Sequence, residues 1–484
     1  MFKCTQLPTV QQLSALALGR LASYSSELAT ELVTSDVLSE LTDSMASEDV
    51  SVHHLKASAF VIRSVAKHNE QLAQCCVEAG GAAVLVHSLE NLDAGVRESS
   101  ALSLGVLARH TPHLAEAVVE AGAVHYLVVC AREPVLPLKR ACVSALSDIA
   151  KHSPELAMAV TQAKLLPMLA AMLSSTDTKL KRHTSNCIAQ LVKHDMHLAE
   201  AAVEAGIFPD LLVLMQDPDV HVRQNAAGAV REVVKHSEEL AALVVKANGL
   251  GFMVDYMNDC HGNARLPAVM ALGFVASYSE TLGMAVIQSN GIPVLKDCLV
   301  HEPEDHLKAA AVWALGQCGR HGVEHSQLIA EADCLRHVLA AMLHEEASDD
   351  LRSKSQKTLR VTLARCRHLA AMQPLLPLAP VGTLQLLLSR FVEVLPEDQA
   401  QRRALVANGG LKLVQSLDRS DGTVAQLVDL INENFPAEVV EYCSPDFAVN
   451  LAKRVEEQTA TGMSQLRQEQ RAAKEAIRSE SKEG

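Results

Sequence analysis

Five histidines recur in this chain at a fixed interval of 42 residues, and a lysine or an arginine precedes each one. These pairs are Lys67-His68, Arg109-His110, Lys151-His152, Lys193-His194 and Lys235-His236. Imidazoles bind metals, transfer protons and form hydrogen bonds, whereas a row of cations attracts acidic partners. A shared metal needs ligands only a few ångströms apart, so histidines one repeat apart predict no metal site. The spacing instead indicates capping histidines beside a row of positive charge.

This row is the predicted partner-binding site, which an extended acidic segment would contact. Its residues are Lys67, Arg109, His110, Lys151, His152, Lys193, His194, Lys235 and His236. A second interpretation is that the cations only complement the dipole at a helix C-terminus, which contributes about 0.3–1 kcal/mol each. The sequence leaves both interpretations open.

The sequence around each histidine is one repeated segment. RHTPHLAEAVVEAGA begins at Arg109, KHDMHLAEAAVEAGI begins at Lys193, and SYSETLGMAVIQSNG from Ser277 continues the register. A period near forty residues is typical of stacked helical repeats. Such an array has a long surface rather than one enclosed pocket, so the predicted function is to hold other proteins together.

Local signals predict three helices in each repeat. The residue at the first helix start is a good N-cap in every repeat, namely Ser25, Asn69, Thr111, Ser153, Asp195, Ser237 and Ser279. Eleven residues later stands a residue that tolerates left-handed backbone, namely Gly80, Gly122, Gly206, Asn248, Asn290 or Asp333, and Lys164 is the exception. A second helix and a long third helix follow. The predicted fold is therefore all-α, an armadillo-type α-solenoid forming a right-handed superhelix of about eight to ten three-helix repeats.

A second row of cations marks the start of the third helices. It consists of Arg97, Lys139, Lys181, Arg223, Arg265 and Lys308. A cation at a helix N-terminus is unfavourable unless it is paired. Acidic residues stand four positions earlier at Asp93, Asp177, Asp219 and Glu304. That spacing predicts ion pairs within each helix and a structural role for the row.

The predicted domain organisation has four parts. Residues 1–41 form an N-terminal capping repeat and residues 42–380 the armadillo repeats. Residues 381–450 form degenerate C-terminal repeats, and residues 451–484 a charged tail that is helical or disordered. The first repeat has no preceding neighbour, so its outer side should be polar or should meet another molecule. Self-association through the ends of the array follows as an expectation.

Composition argues against several functional classes. The net charge of −14 is unsuited to nucleic-acid binding, which needs clustered cations along the footprint. No apolar run is long enough for a membrane span, and twelve cysteines without a C-x-x-C pair indicate buried thiols in a reducing compartment. Phosphate-loop, dinucleotide, zinc-protease and serine-hydrolase motifs are absent from the sequence. We therefore expect an intracellular protein with no catalytic site, cofactor, metal, nucleic acid or membrane.

Particular segments carry a closer resemblance. RHTPHLAEAVVEAGAV, KHSPELAMAVTQAK and DHLKAAAVWALGQCGRHGVEHSQLIAEADCLRHVLAAML resemble the sperm-associated antigen proteins of the central apparatus in motile cilia and flagella. The resemblance covers roughly residues 1–458 and includes the segment QLVDLINENFPAEVVEYCSPDFAVNLAKRVEE. It implies a structural protein of the axoneme that binds tubulin or microtubules of the central pair and other central-apparatus proteins, and so supports motility.

Two alternatives belong to other functional classes. The phrase VVEAGAV also resembles armadillo proteins that carry nuclear-import cargo, which use tryptophan and asparagine ladders on their third helices. The tryptophan-equivalent positions are Phe60, Leu102, Ser144, Asn186, Gly228, Met270 and Trp313, and the asparagine-equivalent positions are Ser64, Val106, Asp148, Gln190, Glu232, Phe274 and Gln317. Because only Trp313 matches, the resemblance implies little capacity for such cargo. A cytoplasmic adaptor with a basic groove is the other alternative.

Overall fold

A computed structural model describes residues 8–47 and 49–480. The first seven residues of the predicted capping repeat and the last four of the predicted tail lie outside the described residues. The described part of the chain contains 32 α-helices and no strand. The predicted all-α, armadillo-type fold is confirmed.

The chain divides into two compact units, and the first spans Met1–Gln317. Its helix α1, Pro8–Tyr24, packs against α4 as a third helix would, and complete three-helix repeats follow. The first helices are α2 Ser26–Thr34, α5 Glu70–Glu78, α8 Pro112–Glu120, α11 Pro154–Gln162, α14 Met196–Glu204, α17 Glu238–Lys246 and α20 Glu280–Gln288. The second helices are α3 Val37–Met45, α6 Gly81–Ser88, α9 Ala123–Ala131, α12 Leu166–Leu173, α15 Ile207–Leu214, α18 Gly249–Asp259 and α21 Gly291–His301. The third helices are α4 Val52–Ala66, α7 Ala94–Ala108, α10 Leu136–Ala150, α13 Thr178–Val192, α16 Val220–Val234, α19 Leu266–Tyr278 and α22 Asp305–Gly319.

The helix starts follow the predicted capping residues with one exception. Six of the seven predicted caps accept a hydrogen bond from a backbone N–H of the first turn, among them Asn69 from Leu72 at 2.8 Å. Ser279 stands at the N-cap of α20 with extended backbone, but its side chain makes no cap bond and instead contacts the hydroxyl of Thr281. Pro112 and Pro154 occupy the first helical position, where the missing N–H costs nothing.

The turn between the first and second helices always uses one left-handed residue. Gly122 has φ of +87°, and an added Cβ there would meet no atom within 4 Å, so the backbone angle alone selects glycine. Asn248, Asn290 and Asp333 adopt φ near +60° as predicted. Lys164 is the exposed exception and adopts φ of +59° in spite of its side chain. That conformation costs a residue with a Cβ roughly 1–2 kcal/mol.

The core of this unit runs through successive layers of third helices. An added Cβ on Gly105 of α7 would lie 3.1 Å from the Cα of Ala145 in α10, so these two helices are in near backbone contact. Leu104, Leu107 and Leu146 around this contact are fully buried. Small residues at the crossing let the axes approach closely, which explains a core rich in alanine and poor in aromatic residues.

The second unit spans Cys318–Gly484. Its helices are α23 Val323–Glu331, α24 Cys334–Leu343, α25 Asp349–Leu363, α26 Leu369–Met372, α27 Val381–Val394, α28 Gln399–Ala407, α29 Gly410–Gln415, α30 Gly422–Asn432, α31 Ala437–Cys443 and α32 Phe447–Glu480. A short 3₁₀ turn, Gln373–Leu375, lies in the segment QPLLPLAP, whose three prolines interrupt regular helix. The charged tail forms most of α32, and the side chains described along it are exposed.

Within the described residues no single helix is both long and apolar enough to cross a membrane. Three bent pairs of consecutive helices reach that length and composition only when both members are counted together, namely α8 with α9, α11 with α12, and α17 with α18.

We predict that Lys164→Gly raises the stability of the protein. The substitution removes the left-handed strain of roughly 1–2 kcal/mol from the folded state. It also makes the unfolded chain more flexible, which costs about 0.5–1 kcal/mol of stability, so the expected net gain is up to about 1 kcal/mol. The shift of the thermal unfolding midpoint measures it. Gly122→Lys is the matched control and should lower the midpoint, and a fall in both variants would contradict the explanation.

Candidate functional site

The third helices of the first unit share one solvent-facing side, which we call the third-helix face. It is defined by the seven positions Phe60, Leu102, Ser144, Asn186, Gly228, Met270 and Trp313, all of which are half-buried. Each position lies on the third helix of a different repeat. The alignment of the repeats in the sequence was therefore correct. The predicted row of cations lies along the border of this face.

Each repeated histidine caps the third helix of the preceding repeat. The Nε2 atom of His110 lies 2.7 Å from the carbonyl oxygen of Ala66, the last residue of α4. The other four make the same contact at 2.6–3.0 Å, as His68 to Ala22, His152 to Ala108, His194 to Ala150 and His236 to Val192. The last carbonyls of a helix have no partner within the helix, so the imidazole supplies one from the next layer.

The contact also determines the protonation of these rings. A carbonyl oxygen only accepts hydrogen bonds, so the Nε2 atom of each ring must carry the proton. Burial lowers the pKa of His152, and burial together with the Lys193 ammonium lowers the pKa of His194. These two rings therefore favour the neutral form in the folded protein. The histidines act as interlayer donors more readily than as cationic contacts for a partner.

The cations beside the histidines differ in how far they are already paired. Lys67 donates to the carbonyl and hydroxyl oxygens of Ser23, both at 2.7 Å. Lys151 lies 3.4 Å from the carboxylate of Asp148, and Lys235 pairs with Glu232 on its own helix. Arg109 is exposed. The two acidic partners were not predicted, although each stands three residues before its lysine, the spacing of one helical turn.

Lys193 is the centre of positive charge in this row. Burial lowers the pKa of its ammonium, the carboxylate of Glu232 opposes that shift, and Lys235 and Lys151 on either side add to it. Cations of three successive repeats therefore act on one another. Asp148 is also buried enough that its pKa is raised above the usual range of aspartate. Charge in the row is therefore continuous from Lys151 through Lys193 to Lys235, with Asp148 and Glu232 paired beside it.

The predicted ion pairs at the start of the third helices were wrong. The acidic residues instead contact cations of the preceding repeat, as in Lys56 with Asp93, Arg140 with Asp177 and Arg182 with Asp219. Arg97 likewise pairs with Glu133, and Lys181 with Asp217, 36 residues onward. Arg223 of the predicted cation row joins no such pair among the described residues, and its guanidinium donates to the carbonyl of Asp217 at 2.9 Å.

The geometry of the helix cap explains why these aspartates pair with the preceding repeat. Asp219 is an N-cap, so one carboxylate oxygen accepts the backbone N–H of Val222 at 3.0 Å while the side chain points back toward Arg182. These bonds hold the pKa of Asp219 down to about 2. Because the preceding layer places Arg182 beside the capping carboxylate, Asp219 pairs with it rather than with Arg223 on its own helix. The offset of 36 or 37 residues was visible in the sequence once the repeat length was known.

A buried cation ties the sixth and seventh repeats. The guanidinium of Arg265 is 4% exposed and lies 2.7 Å from Asp297 and 3.0 Å from Glu302. Its Nε atom also donates to the carbonyl of Cys260 at 2.6 Å. Arg265 belonged to the predicted row, and its burial assigns it to the architecture rather than to the binding surface.

Cargo-binding ladders do not form on the third-helix face. The amide of Asn186 donates to the hydroxyl of Ser147 at 2.9 Å, so it is already bonded within the protein. Trp313 packs with its ring edge-on to Phe274, the centroids 5.2 Å apart, and lies over Gly273. The one matching tryptophan is thus part of an aromatic contact between two repeats.

Metal and thiol chemistry have little basis in the described residues. No group of three or more histidine, cysteine, aspartate or glutamate side chains there could hold a metal ion. Ten of the eleven cysteines described are buried, and Cys75 is half-buried. Burial raises the pKa of Cys187 and of Cys318 to about 12, which keeps both thiols protonated and unreactive.

Known proteins resemble both the sequence and the fold. Sperm-associated antigen 6 of Mus musculus and of Homo sapiens are each 46% identical to this chain over 165 residues. That match covers 34% of this chain, which thereby spans about a third, 32%, of the length of each relative. The resemblance predicted from the sequence is confirmed over these residues. A HEAT repeat model matches residues 207–237.

Two solved structures are similar to this chain to different extents. The crystal structure of an engineered protein superposes with a TM-score of 0.71 at 21% sequence identity, covering 90% of this chain and 97% of that one. A designed armadillo repeat protein aligns with 49% of this chain and 99% of its own, at 20% identity and a TM-score of 0.47. At 21% identity the first likeness shows the repeat-solenoid fold alone. That fold and the relatives' name suit a scaffold that binds other proteins.

We predict that the interlayer ion pair and the helix cap at Asp219 can be separated by substitution. Asp219→Ala loses both and should lower the free energy of unfolding by about 1–3 kcal/mol. Asp219→Asn keeps a capping oxygen and loses only the charge, so about 1 kcal/mol or less is expected. Urea denaturation measures both variants. An unchanged stability of Asp219→Asn would show that the charge pairing with Arg182 contributes nothing, and equal losses in the two variants would show that the cap contributes nothing.

We predict that stability falls as the solution is acidified from about pH 7.5 to 5.5 because of His152 and His194. Their folded-state pKa values are lowered, so the unfolded chain binds protons first and stability is lost as the pH drops through the unfolded value. His152→Gln/His194→Gln keeps a donor for each carbonyl and should flatten the dependence of the thermal midpoint on pH. The exposed pair His113→Gln/His221→Gln is the control, and a similar flattening there would refute the assignment.

Proposed function

We propose that this chain is a structural scaffold of the axonemal central pair in motile cilia or flagella. In this role it binds tubulin and neighbouring central-apparatus proteins, and it works without catalysis. The setting is supported by the similarity to sperm-associated antigen 6 over 165 residues. The scaffold role is supported by the layered helices, which leave long surfaces open to partners. The proposed location is the cytoskeleton of the axoneme within the cytoplasm.

The observation that carries the proposal is the continuous basic edge formed by Arg109, Lys151, Lys193 and Lys235. Its cations recur once per repeat, and Lys151 and Lys235 both act on Lys193 between them. Because the net charge is −14, most of the protein surface repels an acidic partner, and this row of cations attracts one. An exposed ion pair contributes only about 0.2–1 kcal/mol, so useful affinity requires several pairs formed together along a repeating partner.

The cations of this edge differ in how available they are to a partner, because some are already paired within the protein. Lys151 and Lys235 already contact Asp148 and Glu232, so a partner would have to compete for them. Arg109 is exposed, and Lys193 is half-buried between cations of both neighbouring repeats. We therefore propose that Arg109 and Lys193 make the strongest contacts with an acidic segment. The histidines contribute indirectly, because their hydrogen bonds hold in place the helix ends that carry the cations.

A cytoplasmic armadillo adaptor is the second candidate function, and the same basic edge favours it. An adaptor would use this edge for an acidic partner other than tubulin. Nuclear import is a weaker variant of this alternative, because Asn186 is bonded to Ser147 and Trp313 is packed on Phe274.

Co-sedimentation with microtubules tests the proposal. Arg109→Glu/Lys193→Glu should lower the affinity roughly tenfold, because each reversal removes an attraction and adds a repulsion. Binding of the unaltered protein should also fade as salt is raised. Reversal at Lys151 and Lys235 is less informative, since it would also disrupt their pairs with Asp148 and Glu232.

The matched control is Arg132→Glu/Lys246→Glu, which makes the same change of charge at two exposed cations on first and second helices. This control should pellet as the unaltered protein does. Equal pelleting of the two double variants would exclude the basic edge as the contact. If the unaltered protein stays in the supernatant at low salt, the tubulin proposal fails and the adaptor alternative takes its place.

A further inference from the structure

The outer side of α1 carries an apolar ridge that no described residue covers. The ridge consists of Val10, Leu13, Ala17, Leu21 and Tyr24, which recur every three or four residues and so share one side of the helix. Leu13 is 65% exposed, Leu21 49% and Tyr24 86%. The opposite side of α1 is packed, since Ala15 and Ala22 are fully buried. The ridge is therefore the uncovered side of an otherwise well-packed helix.

The same positions are buried in the next third helix. The contact of His68 with Ala22 matches that of His110 with Ala66, which aligns α1 with α4 at an offset of 44 residues. At that offset Leu13, Ala17 and Leu21 correspond to Ala57, Val61 and Val65. These three residues of α4 are at most 2% exposed. A polar capping side was one expectation for the first repeat, and α1 instead presents to solvent the residue types of an inner layer.

The spacing of the ridge makes it complementary to itself. Suppose that two copies of α1 cross in antiparallel orientation with Ala17 at the two-fold axis. Leu13 then faces the partner's Leu21, and Val10 faces the partner's Tyr24, because residues equally distant from Ala17 meet. The small side chains of Ala17 lie at the crossing point, where they let the two helix axes approach closely.

The charge distribution also favours a second copy of the chain as the partner of this ridge. The chain carries a net charge of −14, so two copies repel one another over most of their surfaces. Among the residues of α1 only Arg20 is charged. The ridge is therefore a surface through which two copies can meet without opposing like charges.

We infer that α1 is the contact surface for a second copy of this chain, through a two-fold antiparallel pairing of the ridge about Ala17. The pairing would cover on the order of 1,000 Å² in total, which lies at the lower limit for a specific interface. The dimer is accordingly reversible and forms as the protein concentration rises. It leaves the basic edge of Arg109 and Lys193 on other helices, so it does not depend on the proposed function.

Sedimentation velocity over a wide range of concentration is the first test. The unaltered chain should move from 52.0 kDa toward twice that mass. Leu13→Glu/Leu21→Glu should remain monomeric throughout, and circular dichroism should show unchanged helicity because both side chains are exposed. Leu92→Glu/Val213→Glu, at side chains 97% and 62% exposed, is the control and should dimerise like the unaltered chain. A monomeric unaltered chain at every concentration would overturn the inference.

Disulfide trapping tests the two-fold geometry. Ala17→Cys should cross-link to itself under mild oxidation, above the background that the natural cysteines give. Leu13→Cys and Leu21→Cys should each cross-link weakly alone and strongly when the two variants are mixed. Self-linking of Leu13→Cys without linking to Leu21→Cys would refute the antiparallel register. A dimer lost on substitution of the exposed Leu451 and Leu466 of α32 would show that the partner's tail helix, rather than its α1, occupies the ridge.

Discussion

Each third helix in the first unit buries its apolar side against the third helices of neighbouring repeats and the shorter helices beside it, and the rest of the architecture follows from this layered packing. Near backbone contact at Gly105 and Ala145 requires small residues, so the core is rich in alanine and has few aromatic side chains. Close layers also bring the helix ends together. The histidine at one end and the carboxylate at the other can then reach across to the neighbouring repeat.

These contacts between repeats have one feature in common. Each provides a hydrogen-bond partner for a backbone group that has none within its own helix. His110 donates to a terminal carbonyl of α4, and Asp219 accepts a terminal N–H of α16 while it pairs with Arg182 of α13. A single side chain thus completes its own helix or a neighbouring one and also fixes the spacing between layers. The repeated histidines, which first suggested a chemical site, are explained by this role. The cations beside them are the part of the pattern that we propose for contact with a partner.

The fold was largely predictable from the sequence, because its signals are local. Asn69 marks a helix start and Gly122 a left-handed turn through chemistry confined to a few residues. The pairing of Asp219 was predicted wrongly because two partners suited it equally in sequence, and only the position of the preceding layer decides between Arg223 and Arg182. The neutralisation of Lys235 by Glu232 was missed for a related reason, since helical spacing permits such a pair but burial determines its strength. The uncovered ridge of α1 was equally beyond prediction, because exposure is a property of packing.

The histidine bonds and ion pairs join only adjacent layers, and this has a mechanical consequence for the Met1–Gln317 unit. Links arranged in series share a pulling force equally, so the extension of the unit is the sum of small strains at every junction. A junction that yields leaves the others intact and can close again when the load is removed. Such a unit would extend elastically under load, which suits the attachment to bending filaments that we propose.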